Sequence, residues 1–390
     1  MYLLLLSVIY LTFISLGLPD SLLGSGWPTI YAELNIPISY LGIISMIISG
    51  ATILSSLMTD KVVARFGTRI VTAASVLLTA ISILGFSYSK EFYQMCLWGI
   101  PYGLGAGAID ASLNNYVALH YNSKHMSWLH CFWGVGTIIS PYVMSFALSR
   151  TVWQDGYRIV SGIQFVIAMV IILSLPLWRA NESKSGEDEK IEPLGIKGTV
   201  KTTGALPVMI GFLSYCAAEA TATLWTSSYF EGVYHMSKEG AAALGSIFFI
   251  GMTSGRFISG FISERIGDIK MIKYGTCIAF IGVILILIPI KEIAIAGFII
   301  FGLGCAPIYP SIVHSTPARF GKEKSQSIIG IQMAAAYIGA TFMPPLFGLI
   351  ANHISLKILP LYVAIFLVLM TVMLRKADKD TLLDRKKDLA

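Results

Sequence analysis

An all-α membrane protein of twelve spans, built as two pseudo-symmetric six-helix bundles, is predicted by three features of the sequence. Of 390 residues, 55% are hydrophobic and only 13% charged, where an ordinary soluble domain carries roughly 25% charged residues. Apolar stretches long enough to cross a bilayer recur along the whole chain. The second half repeats the landmarks of the first at a nearly constant offset.

A helical span needs about 20 mostly apolar residues. Such segments fall at 3–31, 39–58, 69–88, 91–118, 126–149, 157–178, 204–230, 240–262, 271–290, 293–317, 325–350 and 355–374. They are too long, and alternate too little, for the strands of a transmembrane barrel. Lipid leaves the helix as the remaining way to satisfy a backbone inside the bilayer. The opening run MYLLLLSVIYLTFISLGL lacks a charged start and reads as the first span rather than a cleavable leader.

Charge orients these spans. With the N-terminus inside, 21 of the 28 Lys and Arg residues fall in cytoplasmic segments and 6 outside, while Arg256 lies within the eighth span. That bias predicts that both termini face the cytoplasm. It also accounts for the net charge of +6 without nucleic acid, since no basic run is interleaved with aromatics. The polar stretch from Arg179 to Gly204 mixes both charges with Gly and Ser and reads as a linker. The expected organisation is an N-terminal bundle over 1–178, a linker over 179–203, a C-terminal bundle over 204–374 and a cytoplasmic tail over 375–390. Cys96, Cys131, Cys216, Cys277 and Cys305 are scattered through apolar sequence, so neither disulfides nor a zinc site is expected.

The repeat appears when the halves are overlaid at an offset near 200. Gly103-Leu-Gly105 matches Gly302-Leu-Gly304, and Arg65-Phe-Gly67 matches Arg265-Ile-Gly267. Asp20 falls opposite Glu219, and the gap from Gly136 to Pro141 recurs from Gly339 to Pro344. Four matches at offsets of 199 to 203 point to an ancestral duplication. Gly103-x-Gly105-x-Gly107 has no strand before it, so it reads as close helix packing rather than a phosphate loop.

Two six-span halves in the same order resemble the parallel repeat of the major facilitator superfamily, which places a substrate site near the midplane between halves. That family's cytoplasmic signature, roughly Gly-x-x-x-Asp-Arg-x-Gly-Arg, is matched well by Gly260-Phe-Ile-Ser-Glu264-Arg265-Ile-Gly267-Asp268. The first copy, Asp60-Lys-Val-Val-Ala64-Arg65-Phe-Gly67-Thr-Arg69, has Ala64 where the acid belongs. Within the superfamily the chain resembles the fucose permease branch of sugar–proton symporters. The resemblance rests on Gly17-Leu-Pro-Asp20-Ser21, on the run from Gly103 through Asp110 to Asn114, and on Leu129-His130-Cys-Phe-Trp133-Gly-Val-Gly136. It implies that spans one, four, seven and ten line the cavity, with an aspartate in helix one and a carboxylate in helix four.

Ionisable residues deep in spans carry the functional reading, because an acid at mid-helix costs about 2.5–3.5 kcal/mol on insertion scales. Asp20, Asp110 and Glu219 qualify. They are the candidates for proton or cation coupling, Asp110 first and Asp20 second. Pro19 interrupts the helix before Asp20. Asn114 lies one turn after Asp110 on the same face. Glu219 has Tyr215 and Thr223 a turn to either side, and its alternative role is partner to a basic group such as Arg256.

Substrate contacts are expected from Asn114, Asn115, His130, Trp133, Trp225, Tyr309, Gln332 and Tyr337. The amides match the donors and acceptors of hydroxyls, and a sugar ring offers a C–H face to aromatic side chains. Trp27 and Tyr229 are further aromatic candidates. His130 and His314 read first as neutral imidazoles bonded between helices and second as proton relays.

No HExxH, GxSxG or Walker lysine is present, so an enzyme or a nucleotide-driven pump has no visible machinery. The expected function is import of a sugar or similar polar solute with a cation, the proton first and sodium second. No cofactor is expected, and the partners are the solute and the lipid bilayer, with the chain acting as a monomer in the bacterial cytoplasmic membrane. The alternative is a proton-antiport exporter of drugs or amphiphilic metabolites. Such exporters carry Gly-x-x-x-Gly-Pro in helix five, whereas Ser140 precedes Pro141 here.

Overall fold

The computed structural model describes residues 2–36, 40–185, 194–236, 244 and 247–388. Among them there is no strand. The first half contains α1 (Tyr2–Gly17), α2 (Leu22–Glu33), α3 (Tyr40–Phe66), α4 (Thr68–Tyr88), α5 (Phe92–His120), α6 (Ser123–Arg150) and α7 (Trp153–Ser185). A short α8 (Gly195–Lys201) precedes α9 (Ala205–Tyr234), α10 (Ile247–Ile266), α11 (Asp268–Leu287) and α12 (Lys291–Cys305). Then come α13 (Ile308–His314), α14 (Thr316–Phe320), α15 (Lys322–His353) and α16 (Leu359–Asp388).

Ten helical stretches among the described residues are long and apolar enough to cross a membrane. The first combines α1 and α2, and the eighth of the ten combines α12 and α13. Helices α5 and α10 fill the fourth and eighth places in a twelve-span order. Both composite spans break at proline. Residues 18–21 form turns around Pro19, with the Leu22 amide donating to the Pro19 carbonyl at 3.1 Å. Ala306 and Pro307 separate α12 from α13.

Two polar stretches beyond the apolar spans are helical where described. Residues 186–193 of the linker lie outside the described residues, but its flanks are helical: α7 runs on to Ser185, and α8 follows. Polar sequence outside the bilayer can still close its own helical hydrogen bonds, so loss of hydropathy marks the membrane boundary and not the helix end. Likewise α16 continues beyond the apolar run, anchored by the Arg319–Asp378 ion pair at 2.8 Å.

The chain divides into two compact units, one of Met1–Tyr116 with Leu129–Gly195, the other of Val117–Trp128 with Ile196–Ala390. In unit 1, α4 packs on α7 and α1 on α7. In unit 2, α12 packs on α10 and α11, while α9 packs on α15 and α16.

Matched glycines set the helix contacts of each unit. A Cβ on Gly103 would lie 2.3 Å from the Ile48 carbonyl of α3, and one on Gly105 would lie 2.8 Å from the Ser75 carbonyl of α4. Their partners in the repeat do the same: Gly302 would strike the Phe248 carbonyl of α10 at 2.1 Å, and Gly304 the Ala279 amide of α11 at 2.2 Å. The glycine motif therefore lets helix backbones touch, as small residues do between membrane helices.

Candidate functional site

Unit 1 assembles five of the residues singled out in the sequence. The turn that ends α1 leaves the Asp20 side chain exposed. Each carboxylate oxygen takes a neutral donor: Tyr102 Oη at 3.1 Å on Oδ1, and Trp133 Nε1 at 2.7 Å on Oδ2. The helix break thus does not pair the acid with Ser21 or a freed amide, but presents it to α5 and α6. Gly17 makes this possible, since a Cβ there would lie 2.1 Å from the Trp133 carbonyl. Gly136 gives the same freedom one turn on, where a Cβ would meet the Ile14 carbonyl at 2.3 Å.

Asp110 is buried on α5. Asn114 Nδ2 donates to its Oδ1 at 2.7 Å and to its main-chain carbonyl at 2.8 Å. Both amide hydrogens are then committed to Asp110, and Asn114 Oδ1 faces His130 Nε2 at 3.0 Å. An amide oxygen only accepts, so Nε2 carries a proton in this arrangement. The His130 ring meets Phe13 edge-on at 5.5 Å, and Asn115 is buried beside Asn114 in the chain. His130 and Trp133 lie three residues apart on α6, hence on neighbouring positions of one face. One helix therefore bonds Asp20 directly and reaches Asp110 through Asn114.

Tyr102 was absent from the sequence candidates. It is buried and precedes Asp110 by two helical turns on α5, which was the available signal.

In unit 2 Glu219 behaves differently from Asp20, its repeat counterpart. Arg256 Nη2 of α10 approaches its Oε1 to 3.8 Å, with side-chain exposures of 5% and 17% for the arginine and glutamate. Glu219 thus has the basic partner that its sequence reading left open, and a half-buried acid compensates a buried cation. Tyr215, one turn before, donates to the Cys305 carbonyl at 2.9 Å.

The remaining candidates of unit 2 are spread over separate contacts. Tyr309 Oη lies 3.0 Å from Met333 Sδ, and its ring packs on Phe212 at 4.6 Å. Gln332 is fully buried and accepts from Thr316 Oγ1 at 3.1 Å, a link between α15 and α14. Trp225 donates to the Pro344 carbonyl at 2.9 Å and fills the space that a side chain on Gly348 would take. Tyr337 is half-buried on α15. Tyr229 bonds the Ile286 carbonyl at 3.2 Å, while Trp27, which belongs to unit 1, is buried on α2. His314 sits at the end of α13 in a polar cluster with Asp268 and Tyr121. Among the described residues no cluster of His, Cys, Asp or Glu has metal-site geometry.

The two copies of the cytoplasmic signature are used differently. Glu264 accepts from Asn122 Nδ2 at 2.9 Å and pairs with Lys124 Nζ at 3.2 Å. In the copy with Ala64, the acid nearby is Asp60, whose Oδ2 lies 3.3 Å from the Gly195 amide.

Comparisons with known proteins agree on the family. The sequence pattern of the Major Facilitator Superfamily matches residues 9–290 and 208–388. Bypass of stop codon protein 6 of Saccharomyces cerevisiae is 23% identical, over 92% of this chain and 79% of its own length. The glucose/mannose transporter GlcP of Bacillus subtilis is 22% identical, over 72% of this chain and 71% of its own. A solved structure of the E. coli fucose:proton symporter FucP superposes with a TM-score of 0.76 at 14% identity, covering 96% of this chain and 98% of that one. At that identity the superposition speaks for the fold alone. Family pattern, relatives and fold converge over nearly the whole length: the chain is a multi-pass membrane transporter, not an enzyme, and belongs to the Major Facilitator Superfamily.

Proposed function

We propose that this chain imports a sugar or similar polar small solute together with a cation, the proton first, by alternating access. The observation that carries the reading is the Asp20 carboxylate, exposed and held by the neutral donors Tyr102 and Trp133. Such an acid can take up and release a proton without breaking an ion pair. Glu219, set against Arg256, cannot. Asp110 is the proposed coupling group, with Asp20 as the second protonatable acid. Around them Asn114, His130, Trp133 and Tyr102 offer a mixed set of donors and acceptors suited to hydroxyl groups.

The names of the relatives support the solute class: a glucose/mannose transporter and a fucose:proton symporter. The excess of Lys and Arg in alternate loops supports cytoplasmic termini. No nucleotide-binding motif was found in the sequence, so the energy source is an ion gradient across a bacterial cytoplasmic membrane.

Proteoliposomes loaded with the purified protein and given separate proton and sodium gradients test this directly. Accumulation of a labelled hexose driven by the proton gradient is the expected result. A sugar panel that neither accumulates nor raises the melting temperature, beside lipophilic cations that do stabilise the protein, would transfer the assignment to the exporter.

A further inference from the structure

The connection between α5 and α6, taken as Val117–Trp128 and so including the last turn of α5 and the first turns of α6, belongs to the first six spans by sequence and to unit 2 by contact. Three residues fasten it there. Asn122 and Lys124 reach Glu264, and Ser123 Oγ donates to Asp268 Oδ1. His314 supplies a further attachment. Its Nδ1 lies 2.6 Å from Asp268 Oδ2, and its Nε2 lies 2.9 Å from the Tyr121 carbonyl.

Both ring nitrogens of His314 therefore face oxygens. A main-chain carbonyl only accepts, so Nε2 must carry hydrogen. At 2.6 Å a second hydrogen must lie between Nδ1 and Oδ2, whichever of the two atoms holds it. The pair contains one proton more than a neutral imidazole beside a carboxylate. Removing it sets two lone pairs against each other, or turns the ring and gives up the Tyr121 bond.

We propose that His314 and Asp268 form a proton-dependent latch that fastens the α5–α6 connection to unit 2 and frees it as the adjoining aqueous phase turns alkaline. The fastened state holds the extra proton, so by linkage its advantage is complete at low pH and shrinks as pH rises. The groups facing the pair can be named element by element. Asp268 comes from α11, Ser123 and the Tyr121 carbonyl from the connection, and Arg319 from α14, itself paired with Asp378 of α16. Beyond Ser123 lie the Lys124–Glu264 pair and His125, whose ring meets Tyr121 edge-on at 5.7 Å. Helix α9 also packs on α13, and its first ten residues include no ionisable side chain. Any rearrangement that transport imposes on α5 or α6 must pull on this connection. The latch would therefore slow that rearrangement when the phase beside it is acidic.

Met126, fully buried within the connection, reports its release. A Met126→Cys variant with the five native cysteines replaced by serine or alanine is alkylated with a neutral maleimide, and the rate is divided by that of the denatured protein at the same pH. The normalised rate is expected to rise at least about 5-fold between about pH 6 and pH 8.5, as one titrating group with linked opening requires. His314→Gln and Asp268→Asn should each be fast at both pH values, and His314→Arg, a permanent cation, slow at both. His125→Gln should keep the pH step. A flat profile in the parent, a step that survives in His314→Gln, or a step abolished by His125→Gln would each overturn the latch. If His314→Arg does not fold, His314→Gln and Asp268→Asn still decide. The assay uses neither sugar nor ion gradient, so its outcome is independent of the transport reading.

Discussion

Trp133 of α6 donates its indole hydrogen to Asp20 at 2.7 Å, across the break that ends α1. Three residues earlier on the same helix, His130 meets Asn114, which in turn holds Asp110. An acid open to solvent and an acid buried in α5 are thus tied to one helix face. Movement of α6 would alter the hydrogen bonding of both, which is the physical content of coupling in the proposed cycle.

Asp110→Asn keeps the size of the side chain and imitates a protonated acid. It should lose gradient-driven accumulation while retaining sugar exchange, and Asp110→Ala should weaken binding as well. Asp20→Asn should behave like Asp110→Asn. Counterflow and gradient-driven uptake, measured on the same proteoliposomes, separate the two activities. If both asparagine variants accumulate sugar as the parent does, neither acid carries the proton.

Trp133→Phe retains the ring and removes the donor to Asp20. A hydrogen bond to a charged group contributes about 1.5–3 kcal/mol, so uptake below saturation should fall roughly 10- to 100-fold. Trp225→Phe makes a useful comparison, because its indole bonds the Pro344 carbonyl. That variant should lower the melting temperature and leave the apparent sugar affinity near the parent's. Initial-rate uptake beside thermal unfolding in detergent distinguishes them.

Much of this arrangement could be read from the residues themselves. Composition and span length identified a helical membrane protein because lipid permits so few backbone solutions. The glycine pairs 103/105 and 302/304 announced a duplication, and in the structure each glycine meets the equivalent helix of its own half. Asp110 and Asn114 were legible because four residues make one helical turn. The Tyr102–Asp20 contact was not, since it depends on how α5 turns toward α1, and Arg256 could be offered only as an alternative partner for Glu219, since that contact depends on how α10 turns toward α9. Periodicity within a helix has no information about its rotation against a neighbour. Gln332, a candidate substrate contact, also accepts from Thr316 across a helix interface, a contact that periodicity alone does not reveal.

The Glu219–Arg256 pair should show the asymmetry of a buried ion pair. Removing one partner typically costs about 3–5 kcal/mol, because the other charge is left uncompensated. Arg256→Met and Glu219→Gln should each lower the melting temperature clearly, and the double variant should recover more than half of the larger loss. Additive losses in thermal unfolding of the three variants would show that the 3.8 Å approach carries no coupling.

Close helix contact makes a steric prediction. Gly302→Val would drive a side chain into the Phe248 carbonyl, which already lies 2.1 Å from an ideal Cβ position. Gly103→Val would do the same at Ile48. Both should reduce the yield of folded protein in size-exclusion profiles, as overpacking costs about 1–3 kcal/mol or more where backbone must move. Gly24 has no atom within 4 Å of its Cβ position, so Gly24→Ala should be tolerated.

The last prediction concerns acid. The Asn122 amide and the Lys124 ammonium hold the Glu264 carboxyl below the usual glutamate range. A depressed carboxyl contributes to the folded arrangement above its ordinary value of about 4.3, and that contribution disappears as pH falls through the lower folded value. Glu264 is open to solvent, so the effect is screened and should be small in total stability. It should be visible locally. At neutral pH, Glu264→Gln should speed alkylation of Met126→Cys relative to the parent, and the difference should vanish once the carboxyl is protonated. This window lies well below the one assigned to His314, so the two attachments of the α5–α6 connection can be titrated apart in one protein. A Glu264→Gln effect that persists unchanged at about pH 3 would mean that the side chain acts by shape and not by charge.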